Sequence, residues 1–179
     1  MAVSQFSARV LQPQKAESDF EAFVVVPKAV SDCLPRRGRT TADVSVAGYA
    51  FQVTLEPDGN LSHWLKLSSK DLVSGNLLMG EEYVFELSPA TEEPEPSVPK
   101  DLADSIQSSA EALETWQSTT TIARVDWIHW VESARQAKTR AKRISDARSM
   151  LSEGKRRVCC FDNSGFYSKA LKPPKVFAG

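Results

Sequence analysis

Residues 89–99 run Pro-Ala-Thr-Glu-Glu-Pro-Glu-Pro-Ser-Val-Pro, and this stretch limits what the 179-residue chain can fold into more than any other. Its prolines fix φ and carry no N–H, so it makes neither a helix nor a central strand, and its glutamates repel one another into an extended spacer. The chain is thereby divided into two halves with different patterning. The expected organisation is a β domain over 1–90, an acidic proline-rich linker over 91–98, a helical domain over 99–157 and a tail over 158–179.

The first half reads as strands. Phe23-Val24-Val25-Val26 is an apolar, mostly β-branched run ended by Pro27, which opens a short helix reaching Leu34. Val44 and Val46 alternate with polar neighbours, and after Gly48 the apolar parity shifts to Tyr49, Phe51, Val53 and Leu55. A period of two cannot change parity without an extra residue, so a bulge or sharp bend is expected at Ala47-Gly48. Pro57-Asp58-Gly59-Asn60 predicts a turn, with Leu61–Leu67 as the returning strand. Ser68 or Ser69 caps a short helical turn near Lys70–Ser74, and Glu82–Leu87 closes the half with Tyr83, Phe85 and Leu87 on one face. About six short strands with one or two helical turns predict a small closed β-barrel.

The second half reads as helices. Pro99-Lys100-Asp101 places a proline in the first turn and a carboxylate beside the positive end of the helix dipole. Leu102, Ile106, Ala110, Leu113 and Trp116 form one apolar stripe, and Ser118–Thr121 is a capping cluster for the next helix. That helix carries Val125, Ile128 and Val131 on its apolar face, with Trp127 and Trp130 flanking. Ala134, Ala137, Ala141, Ile144, Ala147 and Leu151 continue the period, across a break that Thr139 could cap, to a stop at Gly154. Val158–Phe161 suits a strand, and Lys172-Pro173-Pro174 suits an extended tail. The fold class expected from both halves is α+β, a small closed β-barrel followed by an α-helical domain.

Composition excludes several classes. With 41% hydrophobic and 25% charged residues the chain is neither fibrous nor wholly disordered. No stretch approaches the roughly 18 apolar residues of a membrane helix. Arg9, Gln12, Gln14 and Lys15 interrupt the start, so a secretory signal is not expected. The three cysteines are an odd number, two of them adjacent, which argues for a reducing, cytoplasmic setting rather than a disulfide framework. Cys159 and Cys160 point in opposite directions if the tail is a strand, which favours structural or incidental thiols over a nucleophile.

Chemical motifs are mostly missing. No Gly-x-Gly exists, and the Gly75–Gly80 spacing is followed by Glu81 and Glu82, which repel phosphate. His63 and His129 stand far apart, without the spacing of metal ligands on one element. No catalytic residues, metal or cofactor are therefore expected. His63 shares its parity with Leu61, Leu65 and Leu67 and points inward, either as a hydrogen-bonded interior residue or, with Trp64, as a ligand contact in the barrel mouth.

The formal net charge of -1 hides an asymmetry. Residues 1–90 carry 8 basic and 11 acidic side chains, whereas residues 124–157 carry 10 basic and 4 acidic. Arg135, Lys138, Arg140, Lys142, Arg143, Lys155, Arg156 and Arg157 form a candidate anion-binding face, with Trp127 or Trp130 as a stacking ring. The bland alternative is a solvated helix face paired with the acidic half and the linker.

The second half resembles the bacterial YdeI/OmpD-associated family. The residues that carry the resemblance are Val98-Pro99-Lys100-Asp101-Leu102, Trp130-Val131-Glu132-Ser133-Ala134, Thr139-Arg140-Ala141-Lys142-Arg143-Ile144 and Met150-Leu151-Ser152-Glu153-Gly154-Lys155. Ala137-Lys138 departs from the family, whose members often carry proline and an acidic residue there. The first half is similar to the small domain of unknown function that often precedes it, through Val26-Pro27, Gly48, Phe51–Leu55, Asp58-Gly59 and Gly80. The resemblance implies a β-barrel joined to a helical domain. Through the family's name it also implies protection against bacteriocins or cationic antimicrobial peptides and an association with an outer-membrane porin; it carries no catalytic residue. The expectation is a non-enzymatic cytoplasmic protein that holds an unknown protein or other anionic partner on its basic helical face. The alternatives are an RNA-binding module, which the near-neutral charge disfavours, and a small-ligand or enzymatic barrel around His63.

Overall fold

The computed structural model describes residues 2–179. The chain forms two compact units, Met1–Glu92 with Ser164–Gly179, and Glu93–Asn163.

The first unit is built on an antiparallel sheet of β1 (Ser4–Arg9), β2 (Ala22–Val25), β3 (Thr40–Val46), β4 (Tyr49–Pro57), β5 (His63–Leu67) and β6 (Glu82–Pro89), in the order β1-β6-β3-β4-β5-β2. Short helices α1 (Lys28–Ser31) and α2 (Ser69–Ser74) interrupt it. Alternate positions face one core of Phe6, Val24, Val44, Leu55, Leu65, Phe85 and Leu87. Phe6 lies opposite Phe85 in register, and their rings stack at 5.5 Å.

The expected closed barrel is replaced by a curled sheet with two edges, β1 and β2. One isolated bridge links them, in which the Leu11 and Phe23 amides each donate to the other's carbonyl at 2.9 Å. Pro13 and Pro27 stand just beyond this pairing and carry no N–H, and β2 has only four residues, so a ladder cannot extend.

The parity change at Ala47-Gly48 comes from a hairpin rather than a bulge. Val46 pairs with Tyr49 across a two-residue turn whose residues both have positive φ, 51° and 80°. That is the turn whose twist matches right-handed strands. At the next hairpin the Asp58 carboxylate accepts from the amides of Asn60 (2.7 Å) and Ser62 (2.9 Å). Ser68 caps α2, with Asp71 completing a capping box.

The second unit contains α3 (Lys100–Gln107), α4 (Ala110–Ser118), α5 (Thr121–Glu132) and α6 (Ala137–Ser152). Its core holds Leu102, Ile106, Trp116, Trp127, Ile128, Val131, Ala147 and Leu151. The expected single stripe from Leu102 to Trp116 is split between α3 and α4, because Ser109 takes a β conformation and its hydroxyl accepts from the Ala112 amide. Thr120 caps α5 in the same way. Thr139 caps nothing: the break lies earlier, over residues 133–136, and Gln136 precedes α6. After α6 the Gly154 amide donates to Leu151 O and the Lys155 amide to Met150 O, which closes the helix with a Schellman turn.

Val158–Phe161 forms no strand. Residues from Ser164 onward belong to the sheet unit, where Pro13 bridges Val176 and the Phe177 amide donates to Gln12 O at 2.8 Å.

Candidate functional site

Part of the basic segment, Arg124, Arg140 and Arg143, is committed to the fold of its own unit. Arg124 binds Glu95 in a fork, Nε to Oε1 at 2.5 Å and Nη2 to Oε2 at 2.9 Å. Its Nη1 donates to the carbonyls of Thr119 (2.6 Å) and Trp116 (3.1 Å) at the C-terminal end of α4. The hydrogen bond from Arg124 holds the Glu95 carboxyl below its ordinary pKa. The acidic proline-rich segment is therefore pinned to a helix cap rather than left as a charged spacer.

Arg140 makes a second fork, with Asp101, at 2.8 and 3.0 Å, and it lowers that carboxyl's pKa. The pair ties the first turn of α3 to that of α6. The Arg143 guanidinium donates to Trp130 O (2.7 Å) and Ser133 Oγ (2.9 Å) and lies over the Trp130 ring at 5.6 Å. It thus closes the C-terminal end of α5. Lys142 reaches Asp146 one turn on, at 2.7 Å. Arg135 is exposed and has a partner of its own.

Trp127 offers no stacking face, because its ring is completely buried. Its Nε1–H donates to the Arg156 carbonyl at 3.2 Å, and the Thr119 hydroxyl donates to the same oxygen at 2.8 Å. Trp130 is half-buried, edge-on to Trp127 at 6.2 Å. The remaining cations sit apart. Lys138 is exposed near the start of α6, while Lys155, Arg156 and Arg157 are exposed just after its end. Lys155 is 3.5 Å from Glu153. Of the candidate face, then, the turn after α6 is where positive charge reaches solvent on a backbone held from behind.

His63 is completely buried on β5. Its Nε2–H donates to Gly38 O at 2.9 Å, which leaves Nδ1 to accept from the Ser31 hydroxyl at 2.5 Å. Both ring nitrogens are occupied by the neutral form. Burial pushes the pKa below its ordinary 6.5. Because the unfolded chain takes up this proton more readily, the stabilisation is complete above pH 6.5 and is lost as pH falls below it. Urea unfolding of the protein and of His63→Gln should show a loss between pH 7.5 and 5.5 that shrinks in the variant. Equal pH slopes would contradict this account. Trp64 lies in a separate cluster with Phe20 and Phe23, so it does not share a mouth with His63.

A groove of about 440 Å³ runs over β3, β4 and β6, lined by Asp43, Ser45, Ala50, Phe51, Glu86 and Ser88 among others. Asp43 accepts from Gln52 (3.0 Å) and Glu86 from Ser45 (3.4 Å) along its rim. Among the described residues, no group of three or more His, Cys, Asp and Glu side chains could hold a metal ion. No helix there is long and apolar enough to cross a membrane.

Sequence reasoning missed Arg124 as the hub of the helical unit, since Glu95 lies 29 positions away and no local spacing pairs them. Asp101 was legible only as a helix-start carboxylate.

No curated protein matches the chain. Residues 95–154 match the family described as bacteriocin-protection, YdeI or OmpD-associated (OmdA), and residues 6–82 match the domain of unknown function DUF1905. The two matched stretches contain the motifs around Arg140 and Gly59 that carry the resemblance.

Proposed function

We propose that this is a non-enzymatic binding protein with a part in bacteriocin protection, and that it holds an anionic partner at Lys155-Arg156-Arg157. The observation that carries the reading is the Arg156 carbonyl. Two donors from the folded unit, one of them on the fully buried Trp127, fix the backbone there, while the Arg156 and Arg157 side chains reach solvent. A guanidinium on an ordered backbone loses less freedom when it forms charge-assisted hydrogen bonds. Arg124, Arg140 and Arg143 serve the fold and take no part in this contact. Three free thiols support a reducing, cytoplasmic setting.

Chromatography of the full chain on immobilised heparin, used as a generic polyanion, tests the reading. Arg156→Glu with Arg157→Glu should elute at clearly lower salt with an unchanged melting temperature. Arg140→Glu should instead lower the melting temperature, because it sets a carboxylate against Asp101. Elution of the 156/157 variant at the same salt as the parent would overturn the proposal.

A further inference from the structure

The adjacent cysteines of the segment after α6 do not behave as strand residues. An extended backbone would send the two side chains to opposite sides, but Cys160 has φ of +62°, in the left-handed region that non-glycine residues seldom occupy. The result is convergence: the two Sγ atoms lie 3.0 Å apart, and both residues are exposed. Both thiols therefore face one point in solvent. Their shared hydrogen bond raises the pKa of Cys160. The charge of Lys155 acts in the opposite direction on Cys160 without outweighing that hydrogen bond.

The convergence leaves room for a bridging atom. A disulfide needs sulfurs about 2.05 Å apart. A soft atom bonded to both sulfurs at about 2.3 Å, a typical metal–thiolate length, spans about 3.3 Å when its bonds meet near a right angle. The two thiols already converge, so such a bridge needs only a small adjustment of their side chains. Zinc requires three or four protein ligands, and the described residues gather no third one. The fitting ligand is soft and has two exchangeable positions, its third being already filled.

We propose that Cys159 and Cys160 form a dithiol site for monosubstituted trivalent arsenicals, R–As. With an arsenoxide, both S–H bonds and the As=O bond break, two As–S bonds form, and the two protons leave with the oxygen as one water. No electrons are transferred, so no oxidant is needed. The second As–S bond closes within one molecule, which raises the affinity over that of a single thiol by about a hundred-fold. Cys33, exposed and alone, is the internal monothiol control.

The test uses the full chain, reduced with a phosphine, on phenylarsine oxide coupled to agarose. The protein and its Cys33→Ser variant should stay bound through a monothiol wash and elute with a dithiol. Cys159→Ser and Cys160→Ser should each be lost in the monothiol wash. In solution, the intact mass should show one phenylarsenic group per chain with one water lost. Release of the parent protein by the monothiol, or retention of either serine variant equal to the parent, would overturn the proposal.

Discussion

Trp127→Ala should lower the stability of the helical unit by about 3–5 kcal/mol, the range for truncating a large buried aromatic side chain. Trp127 is the largest of the completely buried side chains. Its ring packs in the core with Leu102, Ile106, Trp116 and Val131 and meets Trp130 edge-on. Truncation empties that volume and removes the Nε1–H donor from the Arg156 carbonyl. Trp127→Phe separates the two effects. It keeps most of the apolar contact and loses the hydrogen bond, so it should cost about 1 kcal/mol from that bond plus a small packing loss. Guanidinium unfolding followed by circular dichroism measures both. A midpoint for the alanine variant within error of the parent would mean that the helices do not close around this ring. The phenylalanine variant also bears on function, because the turn carrying Arg156 and Arg157 is then held by the Thr119 hydroxyl alone of these two donors. Its elution from heparin should move toward that of the charge-reversed protein.

Gly59→Ala should be the most damaging small substitution in the sheet unit. At φ of +81° an L-residue costs about 1–2 kcal/mol. An added Cβ would also sit 2.1 Å from the carbonyl oxygen of Leu171, a backbone atom that no rotamer change can move aside. The turn after β4 and the returning tail cannot both keep their places. Residues 164–179 should therefore become sensitive to limited proteolysis in the variant, together with a fall in melting temperature. Gly48→Ala is the control: its φ is also positive, but nothing lies within 4 Å, so it should lower stability without exposing the tail. Equal proteolysis of the two variants would contradict the packing of Leu171 over Gly59.

Much of the architecture was legible because it is local. Pro27 ends β2, Ser68 caps α2, and the Asp58-Gly59 pair makes its turn, each through atoms within a few residues. The apolar positions of Leu102, Ile106, Ile128, Val131 and Leu151 likewise mark core faces by period alone. Ambiguity began where one local signal has two structural solutions. A parity shift fits a bulge or a hairpin, and Ala47-Gly48 takes the hairpin because both residues adopt positive φ. A continuous stripe fits one helix or two, and the Ser109 cap decides for two. Closure of the sheet was not readable at all, since it depends on whether Leu11 and the short β2 can pair beyond a single bridge.

By itself, then, the sequence determined two modules of different class, the family models each resembles, and the run of basic residues from Arg124 to Arg157. Tertiary structure alone decided which of those cations are committed to Glu95 and Asp101 and which still reach solvent. It also decided that two thiols expected to diverge instead converge. The reason is physical. Periodicity and capping act over one turn of chain, whereas the partner of a charge and the direction of a side chain depend on atoms brought together from distant positions.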